Sequence, residues 1–206
     1  GLVFNVLSDG QISQAQGILI GAAVVLLYTL FGGMWSVALT TFFQMIVIVL
    51  GLLYIAWLMS GMTGGVAPVI EHAAQNGKFH FWPELNAVAM VAFVSGLLTM
   101  GFGSIPQQDV FQRANSSKNE NVAVWGTVLG GVAYFAFAAV PLFLAYSANL
   151  IDPALAAQWL SDDSQKLLPE LVKAHLPLFA QVIFYGALLS VIMSTASGTL
   201  LAPSVT

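Results

Sequence analysis

Residues 35–60, WSVALTTFFQMIVIVLGLLYIAWLMS, run for 26 positions without one charged side chain. A run of that length constrains the fold more than any motif. About 20 apolar residues in helical form cross a hydrocarbon core roughly 30 Å thick. Four further stretches qualify, at residues 12–31, 86–103, 122–148 and 178–202. Each is continuously apolar rather than alternating, which predicts helices and excludes the strands of a membrane barrel. Composition agrees with a lipid setting. Only 7% of the 206 residues are charged and 58% are hydrophobic, whereas a soluble domain carries about 25% charge. The expected fold class is therefore an all-α membrane protein with five transmembrane helices. Residues 1–206 would form a single multi-pass region in the cell membrane, with the lipid bilayer as its first partner.

Charge and residue types exclude several functions. The net charge of -4 is scattered and contains no basic run, so no nucleic-acid partner is expected. The absence of cysteine excludes disulfides and thiolate metal sites. His72, His80 and His175 lack ligand spacing for a histidine-based metal site. No Ser–His–Asp set, paired intramembrane carboxylates, HExxH or phosphate loop is present, so the chain is not expected to be an enzyme. It starts at Gly1 without a signal peptide and stops just after a span, which predicts an internal piece of a longer polypeptide.

The connections alternate in character. FGGMW at residues 31–35 predicts a tight turn centred on Gly33. Residues 61–85 form a long loop whose Phe79, Phe81 and Trp82 suit an interfacial aromatic belt. Residues 113–121 are short and carry Arg113 and Lys118. Residues 149–177 are long and acidic, with amphipathic surface helices expected near 153–160 and 165–174. Counting positive charges places Arg113 and Lys118 in the cytoplasm, the FGG turn on that same side, and both long loops outside.

Two stretches carry chemistry. In GFGSIPQQDVFQR, residues 101–113, two glycines and Pro106 interrupt the third span as polar side chains arrive. Unpaired backbone in hydrocarbon costs several kcal/mol per group, so a break survives where it lines a cavity or is buried in protein. Discontinuous helices serve solute binding in secondary transporters; an ordinary kink followed by loop fits the same residues. The fifth span reads SVIMSTASGTLLAPS and holds Ser190, Ser194, Thr195, Ser197 and Thr199. Hydroxyls in helices turn back toward carbonyls three or four residues earlier. That brings the Ser194 and Thr195 hydroxyls and the Val191 carbonyl toward one point. Three neutral oxygens suit a small hard cation such as sodium, and small polar residues equally serve close helix packing. In the second span Ser36, Thr40 and Gln44 share a face with Thr41 beside it. Asp109 is expected to be solvated and paired with Arg113.

Three stretches together, YTLFGGMWSVALTTFFQ, GFGSIPQQDVFQR and MSTASGTLLAPS, resemble the sodium/solute symporters, the superfamily of proline, pantothenate, sugar and choline carriers. The resemblance covers nearly the whole chain. It implies part of a five-plus-five inverted-repeat fold, here the fourth to eighth core helices, with the remaining core helices of the same polypeptide as partners. It implies sodium-coupled symport of a small organic solute by alternating access, with sodium bound by the Val191 carbonyl and the Ser194 and Thr195 hydroxyls. Residues 100–107 would border the solute, through Met100, Phe102, Gly103, Ser104 and Gln107. A proton-coupled or uncoupled carrier, or a transporter-like sensor region, are the alternatives. The chain departs from the pattern at Thr41, where many members carry Asp along the ion's inward exit. It departs again at Val191, where small residues are common, and at 196–198, where ADS is frequent. The choline carriers have tryptophan where Gln107 stands, which disfavours choline because an aromatic face holds a quaternary ammonium best.

Overall fold

A computed structural model describes residues 1–103 and 107–204. Ser104, Ile105 and Pro106 of the expected helix break lie outside the described residues, as does the side chain of Asp109. Ten α-helices follow in order among those described: α1 (Leu2–Leu7), α2 (Gln14–Met62), α3 (Val66–Gln75), α4 (Ala87–Gly103), α5 (Gln108–Asn115), α6 (Glu120–Phe137), α7 (Ala139–Ile151), α8 (Pro153–Asp162), α9 (Leu167–His175) and α10 (Leu178–Ser204). No strand occurs among them. Four stretches are long and apolar enough to cross a membrane: Gln14–Phe31, Trp35–Met62, Glu120–Ile151 and Leu178–Leu200. The expected third span is the shorter α4, of 17 residues, about 26 Å at 1.5 Å per residue.

Helix ends follow local sequence. Ser13 opens α2 with a capping box, accepting from the Gln16 N–H while the Gln16 side chain accepts from the Ser13 N–H. Asn119 caps α6 through the Val122 N–H, and Asp152 caps α8 through the Leu155 N–H with Pro153 following. The span Glu120–Ile151 breaks at Ala138, between α6 and α7. Pro141 explains the break, since it has no N–H for the Phe137 carbonyl one turn earlier.

Although α2 is helical throughout, it is not straight. Gly17 near its start packs on Gly1 and Phe4 of α1. Val3 and Val6 of α1 share one core cluster with Ile55 and Met59 near its end. A straight helix would hold residues 17 and 55 about 57 Å apart. The two halves must therefore fold back on each other, although residues 31–35, where the sequence predicts a tight turn, have helical backbone. α10 packs on α2 more extensively than any other helix does. At their crossing a Cβ on Gly51 would stand 3.1 Å from Ile183 Cγ2 and 3.3 Å from Ala187 Cβ, a close approach that a small residue permits.

The core gathers at one end. Ile55, Met59, Leu144, Ala148, Leu171, Val172, Ala180 and Phe184 are buried together, and α8, α9 and α1 close over them. Side chains lock this cap. Lys173 Nζ donates to the Val6 carbonyl at 3.0 Å and pairs with the Asp9 carboxylate. The Gln181 amide donates to the Leu176 and Lys173 carbonyls at 2.8 and 3.1 Å, satisfying the end of α9. The buried Tyr185 hydroxyl donates to the Pro169 carbonyl at 2.9 Å. Helices α8 and α9 occupy the expected surface-helix positions. The loop 61–85 holds a helix the sequence reading did not anticipate, α3, which buries Val69 and Ala73 and packs on α7. Both long loops thus sit at the core end, while the α2 reversal and α5 sit at the other. Helix α4 stands apart with no buried residue, tied to its loop by the rings of Phe81, Trp82 and Phe93.

Candidate functional site

Toward the other end, α10 leaves the core and opens onto a cavity of about 790 Å³. Its walls come from four elements. The second half of α2 contributes Val37, Thr41 and Met45; α5 contributes Gln112 and Arg113. Gly130, Tyr134 and Phe137 come from α6, and Val191, Ser194, Thr195 and Gly198 from α10. Most of the lining is apolar, and polar atoms are few and local, the usual make-up of a small-molecule site.

On the α10 wall, the Thr195 hydroxyl donates to the Val191 carbonyl at 3.0 Å. That is the backward turn expected of a helical threonine. It fixes the rotamer and leaves the hydroxyl lone pairs free to accept or to coordinate. Ser194 lines the same cavity, and its own carbonyl accepts from the Ser197 hydroxyl at 3.0 Å. Thr199 Oγ1 bonds back to the Thr195 and Ala196 carbonyls at 3.0 and 2.9 Å. On the α2 wall, Thr40 Oγ1 is spent on the Ser36 and Val37 carbonyls, at 2.8 and 3.1 Å. Thr41 lines the cavity, but its Oγ1 is buried away from it and has no hydrogen-bond partner among the described residues. A buried unpartnered hydroxyl costs about 1–3 kcal/mol unless something occupies the site beside it. The oxygens of Val191, Ser194 and Thr195 are neutral and hard, and they fit a sodium ion.

The predicted residues separate into two groups. Val191, Ser194 and Thr195 come together on one wall. Met100, Phe102, Gly103 and Gln107 do not join them: all four are exposed, Met100 to 80% and Phe102 to 65%, and none lines the cavity. Ser104 lies outside the described residues. α4 stays helical through Gly101 and ends at Gly103, and α5 starts at Gln108. Sequence reasoning missed the α5 and α6 contributions. Arg113 reads as an ordinary loop charge, and its place on the cavity comes from the docking of α5 on α10. Gly198 could have been found, because it lies four residues after Ser194 on the same face.

The far end carries a separate electrostatic feature. Asp152 Oδ1 accepts from the Leu155 N–H at 2.9 Å, and Oδ2 lies 3.0 Å from His175 Nε2. The Leu155 N–H and then the His175 ring hold the Asp152 carboxyl below its usual range.

The model of the sodium:solute symporter family matches residues 10–206. The human high affinity choline transporter 1 is 26% identical over 220 residues, covering 99% of this chain and 36% of that protein. The Torpedo marmorata high-affinity choline transporter 1 is 27% identical over 192 residues, covering 89% of this chain and 32% of that protein. The Drosophila melanogaster protein of that name is 25% identical over 207 residues, covering 98% and 32%. The chain spans about a third of the length of these curated relatives. No solved structure matches it.

Proposed function

We infer, from the fact that the chain belongs to the sodium:solute symporter family, that this multi-pass membrane protein forms part of a sodium-coupled symporter for a small organic solute. The observation that carries the reading is the shared cavity wall of Val191, Ser194 and Thr195. Sodium enters as a co-transported substrate held by one carbonyl and two hydroxyls of α10, with further ligands from elsewhere in the protein. Among the described residues no carboxylate or histidine lines the cavity, so a proton relay has no titrating group there. That favours sodium over proton coupling.

The α4 end, with Met100, Phe102, Gly103, Ser104 and Gln107, borders the solute in the complete five-plus-five bundle. Family resemblance supports this assignment. The relatives are named for choline, yet identity is low and Gln107 stands where choline carriers have tryptophan, so the solute class is kept at a small organic molecule. Binding of sodium ties α10 to neighbouring core helices, the solute follows, and one helix group rocks against the other. One positive charge moving inward at 100 mV contributes about 2.3 kcal/mol to uptake.

The test is uptake by the full-length protein across a sodium titration. Ser194→Ala combined with Thr195→Ala should raise the sodium needed for half-maximal uptake at least tenfold. Unchanged sodium dependence defeats the site assignment. Uptake that persists when potassium replaces sodium, and rises at acid pH, would favour the proton-coupled reading instead.

A further inference from the structure

Arg113 is the one formally charged residue among the described residues that line the cavity. It stands in the last turn of α5, and its guanidinium lies against α10. A Cβ built on Gly198 meets only Arg113 Nη2, at 3.1 Å. Gly198 is buried and follows Ser194 by four residues, one turn further along the same helix face. The guanidinium therefore covers the α10 stripe about 6 Å beyond the ion-binding oxygens. It does so on the end of the bundle that the basic residues assign to the cytoplasm.

We propose that Arg113 is the inner gate of the cavity: seated on Gly198, it closes the route from the α10 oxygens to the cytoplasm, and the route opens when α5 lifts off α10. The proposal rests on the sodium symport reading for what passes the gate, and on geometry for the gate itself. Two effects act together. The side chain fills the mouth, because glycine at 198 leaves a seat that any larger residue would occupy. Its charge also opposes a cation in transit. Two unit charges about 7 Å apart at an effective dielectric of about 20 disfavour co-occupancy by roughly fiftyfold. α5 is suited to move, being a helix of eight residues held on α10 and α6 and outside the core cluster.

Accessibility tests the gate without needing transport. Val49 lines the cavity on the core side of the α10 oxygens, away from Gly198, so Val49→Cys in the full-length protein is a reporter. The parent without that substitution gives the blank. In inside-out vesicles, a membrane-impermeant thiol reagent is added to the cytoplasmic face in sodium-free buffer. Arg113→Ala should raise the labelling rate at least tenfold. Arg113→Lys, which keeps a long cationic side chain over Gly198, should stay within threefold of the parent. An unchanged rate in Arg113→Ala, with protein that elutes as a single folded species, overturns the proposal. So does a matching rise at Ala148→Cys in the distant core, since the whole bundle would then have loosened. Sodium should slow labelling in the parent and in Arg113→Ala alike. If Arg113→Ala speeds labelling while sodium changes nothing, the gate stands and the sodium assignment falls.

Discussion

Under the proposed sodium assignment, Thr195 would need to do little to prepare an ion site. Its hydroxyl hydrogen goes to the Val191 carbonyl, which fixes the rotamer and leaves the oxygen lone pairs available on a residue that lines the cavity. Thr195→Val keeps the shape and removes the oxygen; it should raise the sodium requirement for uptake at least tenfold. Thr195→Ser should stay within about threefold, which separates coordination from packing. Asp152 offers a second residue-scale test, away from the membrane spans. Its folded pKa is lowered, so the stabilisation it gives is full above its unfolded value near 3.8 and disappears as pH falls through the lower folded value. Asp152→Asn keeps an acceptor for the Leu155 N–H but loses the charge. The melting-temperature gap between parent and Asp152→Asn should be constant at pH 5–6 and close below about pH 4. A gap that widens on acidification would contradict the sign of the shift.

Among elements, α2 decides the arrangement, because its two halves must return to the same end of the bundle. Spin labels at Gly17 and Ser60 should report a separation of about 20 Å if α2 folds back, against about 65 Å for a straight helix at 1.5 Å per residue. The second half then meets α10 at Gly51. Gly51→Leu would drive a branched side chain into Ile183 and Ala187, and overpacking of that kind costs roughly 1–3 kcal/mol. A melting temperature unchanged from the parent in the same detergent would show that the helices do not cross there. These contacts explain where element-level reading succeeded. Four of the five expected spans were legible from apolar length, while the third is the shorter α4. α5 was hidden because its eight residues follow a glycine- and proline-rich stretch. α3 was hidden inside a long polar loop.

At the scale of the whole molecule, packing and chemistry occupy opposite ends. α10 carries both: Ala180, Phe184, Tyr185 and Ala187 are buried, and Val191, Ser194, Thr195 and Gly198 line the cavity. Local opening free energy falls where buried contacts are fewer. Hydrogen exchange in the complete protein should therefore be slower at Phe184 and Tyr185 than at Ser194 and Thr195, and the reverse order would contradict this division. Bound sodium should narrow the difference by slowing exchange at the cavity end.

The amino-acid sequence by itself determined the lipid setting of this protein, the course of four of the five spans expected from it, and the hydroxyl-rich run of α10. These follow from hydropathy and from residue chemistry, which are local. Which helices meet was decided only in three dimensions. In lipid the flanks of an apolar helix differ little in hydrophobicity, so lateral pairing depends on shape and small-residue fit rather than on a periodic signal. Hence Thr41, Arg113 and Gly198 read as unrelated positions along the chain, yet they border one cavity once α2 has folded back and α5 has settled on α10.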